Sequence, residues 1–329
     1  MFRKIILILL GLAIGVSGCG GSPGPVEGST NEALTHIRLP MGYIPNIQYA
    51  PFYVAVEKGY FKEAGLELEF DYKFETEGVK LVAAGELPFT LVSGDQVLTA
   101  RAQGLPVTYV AAWYQQYPVS VVAKSELGII VPQDLKGQKI GLPGLFGANY
   151  IGLRALLNAG EISESDVTLD AIGFNQVELV AAGQQDIIVG YSANEPIQLK
   201  AQGIAVTEMR VSDYAQLASN GILTNEKLIA ENPELVRAFV GAFLKGLQDT
   251  IANPEEAFQL SEPHIPNFSE LDAAVQMQIL KTSIEQWRAE RLGYSDPQAW
   301  ENMQDVQLEM GLISEKTDLS KAFTNEFIP

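Results

Sequence analysis

Aromatic and acidic side chains are concentrated in the segments that we predict to follow strands. These loops span residues 43–53, 75–78, 93–96, 113–117, 143–150, 174–176 and 191–195, and they contain many Tyr, Phe and Trp residues but no Lys or Arg. Their acids are Glu75, Glu77, Asp95 and Glu195, whose carboxylates accept hydrogen bonds. Helix N-termini alone could hold an anion, but a sulfonate or phosphate site would usually add a cation. The pattern therefore favours a neutral, planar ligand with N–H or O–H groups, stacked on aromatic rings at about 1–3 kcal/mol per ring.

From these loops we select candidate ligand contacts. They are Asn46, Gln48, Tyr49, Phe52, Tyr53, Glu77, Ser93, Asp95, Trp113, Tyr114, Phe146, Tyr150, Gln176, Tyr191, Asn194 and Glu195. Each has a structural alternative. The aromatic residues of 49–53 fall in a helical stretch and could equally be core, and Glu195 could be a helix-start charge favoured by the helix dipole.

A long internal repeat indicates how these loops are positioned. The pattern V-x-L-V-A-A-G occurs at residues 79–85 and again at 177–183, a separation of 98 residues, and a strand-like segment and a polar turn follow each copy. A period of this length is too large for one turn of a solenoid. The repeat predicts a duplicated α/β lobe, with the ligand in the cleft between the two copies.

Hydrophobic periodicity predicts alternating strands and helices up to residue 202 and mostly helices after residue 220. We predict strands at 36–42, 66–72, 89–92, 118–123, 139–142, 167–172, 187–190 and 221–224. We predict helices at 49–58, 79–84, 96–103, 148–159, 177–182, 196–202, 233–252, 270–291 and 297–311. Alternation of this kind is typical of parallel sheets with right-handed crossovers, whose ligands meet the loops at the carboxyl ends of the strands.

The predicted architecture is α/β, with two lobes, parallel-type sheets flanked by helices, and a hinge of two strands. Residues 35–118 and 220–329 form the first lobe, and residues 119–219 form the second. The segments 118–123 and 221–224 are the two crossings between the lobes. This connectivity supports hinge closure around a ligand.

The N-terminal residues indicate an export signal. Arg3 and Lys4 precede a short apolar run and then Ser17, Gly18 and Cys19, the only cysteine in the chain. We predict a signal peptide at residues 1–18, lipidation of Cys19 and a flexible linker at residues 19–34, rich in Gly, Ser and Pro. The alternative is an ordinary signal peptide with Cys19 as a bystander. A single cysteine excludes an internal disulfide.

Composition limits the partners. The formal net charge is −18, which disfavours nucleic acid and anionic lipid as partners. The chain shows no Ser/His/Asp set, no cluster with metal-ligand spacing and no phosphate loop, so we expect no catalytic residue, no metal and no cofactor. We expect a monomer.

The segment MGYIPNIQYAPFYVA at residues 41–55, with EKGYF at 57–61 and GYSANEP at 190–196, resembles ABC-transporter substrate-binding proteins of the SsuA/thiamine-pyrimidine type. Within that family the chain looks most like RibY-like riboflavin-binding lipoproteins, on FETEG at 74–78, LPF at 87–89, GLPG at 141–144 and GFNQVE at 173–178. The resemblance implies a two-lobed periplasmic-binding-protein fold of type II.

The same resemblance implies capture of riboflavin or a related flavin and its delivery to a membrane permease that a cytoplasmic ATPase drives. The protein would be lipid-anchored at the outer face of the cytoplasmic membrane or in the periplasm. A thiamine-pyrimidine precursor, of the formylaminopyrimidine or hydroxymethylpyrimidine type, is the alternative ligand. The absence of basic residues from the loops argues against the sulfonate and taurine branch.

Two further hypotheses do not involve transport. A eukaryotic relative of this fold makes the thiamine pyrimidine with its own histidine, a lysine-bound cofactor and iron, together with a cysteine-rich motif that this chain lacks. A tethered sensor or adhesive domain is the other reading, and it predicts no transporter genes beside this one.

Overall fold

The computed structural model describes residues 33–329, in which helices flank three sheets. The strands are β1 Thr35–Gly42, β2 Leu66–Phe74, β3 Thr90–Val92, β4 Val107–Ala112, β5 Val119–Lys124, β6 Lys139–Leu142, β7 Thr168–Ala171, β8 Ile187–Tyr191, β9 Val206–Arg210 and β10 Gly221–Asn225. The predicted signal peptide, the lipidation of Cys19 and nearly all of the predicted linker lie outside the described residues.

The helices follow the predicted order. They are α1 Ala50–Glu57, α2 Tyr60–Glu63, α3 Glu75–Ala83, α4 Gly94–Ala102, α5 Gly147–Ala159, α6 Gln176–Ala181, α7 Glu195–Ala201, α8 Glu226–Glu231, α9 Pro233–Ala252, α10 Pro254–Ser261, α11 Ala273–Trp287, α12 Pro297–Glu309 and α13 Leu319–Ala322. None of the helices described is long and apolar enough to cross a membrane.

The sheets divide the chain as two groups of strands. β1 pairs with β2, and β10 lies between β3 and β4. A five-stranded sheet in the order β7-β6-β8-β5-β9 contains every described strand from residue 119 to residue 210. The lobe boundaries at residues 118/119 and 219/220 stay a prediction.

The sheets are mixed and not parallel throughout, because the two crossing strands run antiparallel to their neighbours. β1 pairs in parallel with β2, and β6 with β7 and β8. β5 is antiparallel to β8 and β9, and β10 is antiparallel to β3 and β4. The chain enters β5 and β10 from the other group of strands and not through a crossover helix on the same sheet, so the right-handed βαβ connection does not set their direction.

Local chemistry explains several helix boundaries. The long helix α9 starts at Pro233, whose missing N–H needs no partner there, and the Asn232 side chain accepts a hydrogen bond from the Leu235 amide. Its residues Val236, Phe239 and Phe243 are fully buried at a spacing of three and four, which gives one apolar face. α9 packs against α1 through this face, as the stacked rings of Phe52 and Phe243, 4.6 Å apart, show.

Two departures from the predicted elements affect the site. Residues 75–78, predicted as a loop, form the first turn of α3, and the predicted helix at 270–291 is shorter, as α11. The Asp272 side chain accepts hydrogen bonds from the amides of Ala274 and Val275 and so fixes where α11 begins.

Candidate functional site

A cavity lies between the ends of strands from both groups. It occupies about 810 Å³, counted out to its open mouth. Its lining residues are Met41, Gly42, Tyr43, Gln48, Tyr49, Phe74, Glu75, Leu91, Val92, Trp113, Tyr114, Pro143, Phe146, Gly147, Ala148, Asn149, Phe174, Gln176, Tyr191, Asn194, Glu195 and Asn220. None of them is Lys, Arg or His, so no cationic side chain of the described residues belongs to the wall.

The floor of the cavity is aromatic. The indole of Trp113 is stacked on Tyr49, with ring centroids 5.4 Å apart, and it contacts Tyr114 at 4.8 Å. The Tyr49 hydroxyl donates to the Met41 carbonyl at 2.7 Å, and the side-chain nitrogen of Gln48 (Nε2) donates to the Tyr114 hydroxyl at 3.1 Å. These bonds hold the rings in one orientation each, which lowers the entropy cost of stacking a ligand on them.

The two crossings bring Trp113, Tyr114 and Tyr191 together. The amides of Trp113 and Tyr114 both donate to the Asn220 carbonyl, at 2.9 and 3.0 Å. The Asn220 side chain accepts a hydrogen bond from the Tyr191 hydroxyl at 3.2 Å. Asn220 therefore connects the segment before the outgoing crossing, the start of the returning crossing and β8 at one position in the cavity wall.

Four further rings meet at the mouth of the cavity. Tyr43 contacts Phe174 edge-on at 4.6 Å, while Phe74 contacts Phe146 at 5.3 Å and Phe174 at 5.0 Å. Tyr43 and Phe74 follow β1 and end β2, whereas Phe146 and Phe174 belong to loops of the five-stranded sheet. Aromatic contacts thus join the two strand groups across the opening.

Two buried carboxyl groups form the polar wall. Glu75 accepts hydrogen bonds from the Ser93 amide at 2.8 Å and from the Ser93 hydroxyl at 2.9 Å. Burial raises its pKa above the ordinary glutamate value and the nearby Asp95 carboxyl raises it further, while bonds from Ser93 and the Ala148 backbone partly offset both effects.

Glu195 is the second carboxyl group. Its Oε2 accepts a hydrogen bond from the Tyr191 amide at 2.7 Å, and its Oε1 accepts one from the Asn194 side chain at 3.2 Å. Burial raises its pKa to about 7, against the opposing effect of these hydrogen bonds. A carboxyl group with this pKa exchanges its proton near neutral pH and can either accept or donate a hydrogen bond.

Two polar atoms of the wall lack a partner. Trp113 Nε1 and Asn149 Oδ1 are buried and make no hydrogen bond within the described part of the chain. One is a donor and the other an acceptor. Buried polar atoms are nearly always paired, so this wall is suited to a ligand that carries both kinds of group.

Nine of the predicted contacts line the cavity. They are Gln48, Tyr49, Trp113, Tyr114, Phe146, Gln176, Tyr191, Asn194 and Glu195. That each of them touches a ligand stays a prediction.

The other predicted contacts lie outside the cavity wall, and three of them serve the core or a turn. Phe52 and Tyr53 are fully buried on the inner face of α1, where Tyr53 bonds to the Tyr72 hydroxyl at 2.8 Å and stacks on His264 at 4.6 Å. The Asn46 side chain accepts a hydrogen bond from the Gln48 amide and so begins the turn before α1. The core alternative therefore applies to Phe52 and Tyr53.

Glu77 does not line the cavity, whereas Glu75 does. Residues 75 and 77 lie in the first turn of α3, and positions two residues apart on an α-helix are about 200° apart around its axis. Glu75 faces the cavity, so Glu77 faces away and is exposed. A ligand contact by Glu77 stays a prediction.

Three more predicted contacts stand behind or beside the wall. Ser93 is fully buried, and its hydroxyl donates a hydrogen bond to the Glu75 carboxyl group. Asp95 and Tyr150 line a separate groove, and the Tyr150 hydroxyl donates to Glu164 at 2.6 Å. Asp95 is in the first turn of α4 and lines this groove but not the cavity.

Several residues of the cavity wall are absent from the predicted contacts, although some of them belong to the predicted loops. Tyr43, Glu75 and Phe174 were in the predicted loops but were not selected, whereas Phe74 ends a strand. Met41, Gly42, Leu91 and Val92 carry no chemical signal in the sequence, since they offer only backbone or apolar surface, and Asn220 lies outside the predicted loops. No group of three or more His, Cys, Asp or Glu side chains that could hold a metal ion occurs in residues 33–329.

Comparison with known proteins gives matches over most of the chain. A family model described as NMT1/THI5 like matches residues 46–257. The riboflavin-binding protein RibY of Chloroflexus aurantiacus is 44% identical over 309 residues, which are 92% of this chain and 88% of the relative. The formylaminopyrimidine-binding protein of Halalkalibacterium halodurans is 28% identical over 91% of each chain.

More distant matches include an enzyme and a solved binding protein. A 4-amino-5-hydroxymethyl-2-methylpyrimidine phosphate synthase of Saccharomyces cerevisiae is 27% identical over 67% of this chain and 68% of the enzyme. The structure of the alkanesulfonate-binding protein SsuA from Xanthomonas axonopodis pv. citri, bound to MOPS, superimposes with a TM-score of 0.71. The match covers 88% of this chain and 98% of that protein at 15% identity, a level that concerns the fold alone. It confirms the predicted periplasmic-binding-protein fold.

Proposed function

This chain belongs to the NMT1/THI5-like family, and from that premise we propose that it is the solute-binding protein of an ABC importer that captures riboflavin or a related flavin. The ligand ring lies in the cavity, stacked on aromatic side chains, with amide and carboxyl groups at its polar edge. The riboflavin-binding relative, 44% identical over 92% of this chain, supports this ligand.

The observation that carries the proposal is the composition of the cavity wall. It combines the stacked pair Trp113 and Tyr49 with Asn, Gln and Glu side chains and includes no cation. An isoalloxazine ring has two broad faces for stacking and a pyrimidine edge with both donors and acceptors. An anionic ligand such as a sulfonate would meet the carboxyl groups of Glu75 and Glu195 without a compensating charge, which opposes its binding.

A thiamine-pyrimidine precursor is the second candidate. The 28% identical relative from Halalkalibacterium halodurans is named for formylaminopyrimidine. The pyrimidine uses the same stacking and the same carboxyl acceptors with a smaller ring, so affinity must discriminate the two ligands.

The same wall supports binding over catalysis. The synthase chemistry of this fold depends on a histidine and a lysine, and neither residue type is among the lining residues. The two histidines stand elsewhere: His264 is bound to Glu57 at 2.8 Å, and His36 is 3.4 Å from Glu69.

The proposed function also implies partners and a location for the protein. A binding protein of this fold delivers its ligand to a permease, which a cytoplasmic ATPase drives. We place the chain as a monomer at the outer face of the cytoplasmic membrane or in the periplasm, tethered through a lipid on Cys19.

The absorption spectrum of the purified full-length protein tests the ligand. A co-purified flavin gives visible absorbance, and titration of the ligand-free protein with riboflavin quenches flavin fluorescence. Titration with formylaminopyrimidine, followed by calorimetry, gives the competing affinity. Tighter binding of the pyrimidine than of riboflavin would transfer the proposal to the second candidate.

Variants of the stacking residues tie that affinity to the cavity. Trp113→Ala and Tyr191→Ala each remove a ring from the wall and should raise the riboflavin Kd by about five- to 150-fold, because one stacked face contributes about 1–3 kcal/mol. Tyr214→Ala is the control, since Tyr214 is an exposed aromatic residue outside the cavity. An unchanged Kd in both cavity variants would show that the flavin ring does not bind at this site.

A further inference from the structure

A second concave region adjoins the cavity at Phe146 and Gly147. This groove lies between α3, α4 and the beginning of α5, and it measures about 980 Å³ out to open solvent. Its lining includes Thr76, Gln96 and Thr99, which supply hydroxyl and amide groups. Neutral groups that both donate and accept hydrogen bonds are the partners that a hydroxylated chain needs.

A buried carboxyl oxygen in this groove has no partner. Asp95 is fully buried and lines the groove, and its Oδ2 accepts a hydrogen bond from the Gln96 side chain at 2.8 Å. Its Oδ1 makes no hydrogen bond within residues 33–329. A buried acceptor without a partner is unfavourable, and a ligand O–H that reaches it removes that cost.

A second buried acceptor without a partner belongs to Gln307, which contacts the Asp95 backbone but is not among the residues that line the groove. The amide nitrogen of Gln307 donates to the Asp95 carbonyl at 2.9 Å, and Gln307 Oε1 is buried without a hydrogen-bond partner in the described part of the chain. Gln307 is on α12 and completely buried. The helix thus brings a further acceptor to the neighbourhood of Asp95.

The groove and the cavity adjoin at residues 146 and 147, since Phe146 and Gly147 line both spaces. Gly147 has no side chain, and a Cβ built on it would lie 2.2 Å from Glu75 Oε1. A flexible extension of a ligand in the cavity would pass residues 146 and 147 to enter the groove.

We propose that the groove is a second subsite, which binds the polyhydroxylated chain of a ligand whose ring occupies the cavity. This inference rests on the proposed function and names its substrate class: a flavin that carries a polyol, in preference to the bare ring. Asp95 and Thr99 are the specificity residues of the subsite.

The charges of the subsite select a polyol over its phosphate ester. Lys80 is the one cationic residue among those that line the groove, and it is exposed. The carboxyl groups of Asp95 and Glu75 are buried on the same side and would oppose a phosphate. A neutral chain avoids this repulsion and still satisfies Asp95 Oδ1.

Affinities of the full-length protein for three flavins test the subsite. Riboflavin carries the polyol, lumiflavin carries a methyl group in its place, and riboflavin 5′-phosphate carries the charged ester. Riboflavin should bind at least tenfold more tightly than either of the others, because only it supplies neutral hydroxyl groups to the groove. Equal affinity for riboflavin and lumiflavin overturns the subsite but leaves the flavin proposal standing, and tighter binding of the phosphate overturns the choice of a neutral chain.

Two variants assign the preference to the named residues. Asp95→Ala and Thr99→Val should each reduce the riboflavin-to-lumiflavin affinity ratio about three- to tenfold. The two flavins share the ring, so the ratio is insensitive to an effect of Asp95 on the Glu75 carboxyl group in the cavity. Thr168→Val, on an exposed position of β7, is the matched control. A ratio that neither variant alters overturns the assignment, while a wild-type protein that binds none of the three flavins overturns the proposed function itself. Thr99 is only half-buried, so its variant keeps the test open if Asp95→Ala fails to fold.

Discussion

At the scale of single residues, the cavity depends on carboxyl groups that the fold buries without a cation. Glu195 bonds to the Tyr191 amide and to the Asn194 side chain, yet burial still raises its pKa to about 7. The folded protein therefore keeps a proton on this group at a pH where the unfolded chain has lost it. Protonation of Glu195 is coupled to folding.

This coupling predicts that the free energy of unfolding falls as the pH rises. The folded pKa of Glu195 is above the unfolded value of 4.5, so its contribution is complete below pH 4.5 and is lost as the pH passes through about 7. Glu195→Gln replaces the acid by a neutral group of the same shape and should flatten this part of the profile. Urea denaturation at several pH values between 4.5 and 8 measures the effect.

Glu315→Gln provides the comparison for that experiment, because Glu315 is exposed. It should keep the wild-type slope between pH 4.5 and 7. If Glu195→Gln retains the same slope as well, the proton is held by another group, with Glu75 the next to examine since burial also raises its pKa.

Which acid faces the ligand site could not be derived from residue types alone. The sequence indicates a cluster of acids and aromatic rings, and Gln48, Trp113, Tyr191 and Glu195 do line one cavity. The choice between Glu75 and Glu77 depends on where α3 starts, since one residue of shift turns a side chain by about 100° around the helix. Element boundaries are set by tertiary packing as well as by local signals, which is why the sequence did not show that Glu75 lines the cavity and Glu77 does not.

At the scale of elements, the start of α5 is held against α3. Gly147 is the first residue of α5, with a φ of +69°, and its Cα faces the Glu75 carboxyl group. A side chain at this position would carry two separate penalties, one for the left-handed backbone and one for the collision with Glu75.

Gly147→Ala should therefore destabilise the protein more than the backbone penalty alone. Gly183→Ala is a matched control, because Gly183 has the same φ of +69° and nothing within 4 Å of its Cβ position. We expect about 1 kcal/mol for the control and about 2–4 kcal/mol for Gly147→Ala, measured by denaturant unfolding. Equal losses would show that Glu75 moves aside without cost.

At the scale of the whole molecule, the cavity wall places acids and aromatic rings between two strand groups and includes no cationic residue. The formal net charge of the chain is −18. Long-range attraction for an anion is therefore absent, and binding of a neutral ring depends on contact and desolvation, which salt screens only weakly.

Riboflavin affinity should accordingly change less than twofold between about 0.05 and 0.5 M NaCl, whereas an ion-pair site loses affinity steeply over that range. Fluorescence titration at both salt concentrations measures this. Riboflavin at 100 times its Kd should add about 2.7 kcal/mol to the free energy of unfolding and so raise the melting temperature. Taurine, the anionic control, should leave the melting temperature unchanged at the same concentration. A taurine-induced rise comparable to that of riboflavin would contradict the neutral-ligand proposal.

The sequence by itself determined the alternation of strands and helices, the internal repeat at residues 79–85 and 177–183, and the chemical character of the site. These features are local or periodic, and so a single chain displays them. Only the tertiary structure decided that β5 and β10 run antiparallel, that Phe52 and Tyr53 belong to the core, and that Asp95 lines a groove apart from the cavity. Strand direction, burial and the side of a wall on which a residue lies depend on contacts between residues far apart in the chain, and no local pattern carries that information.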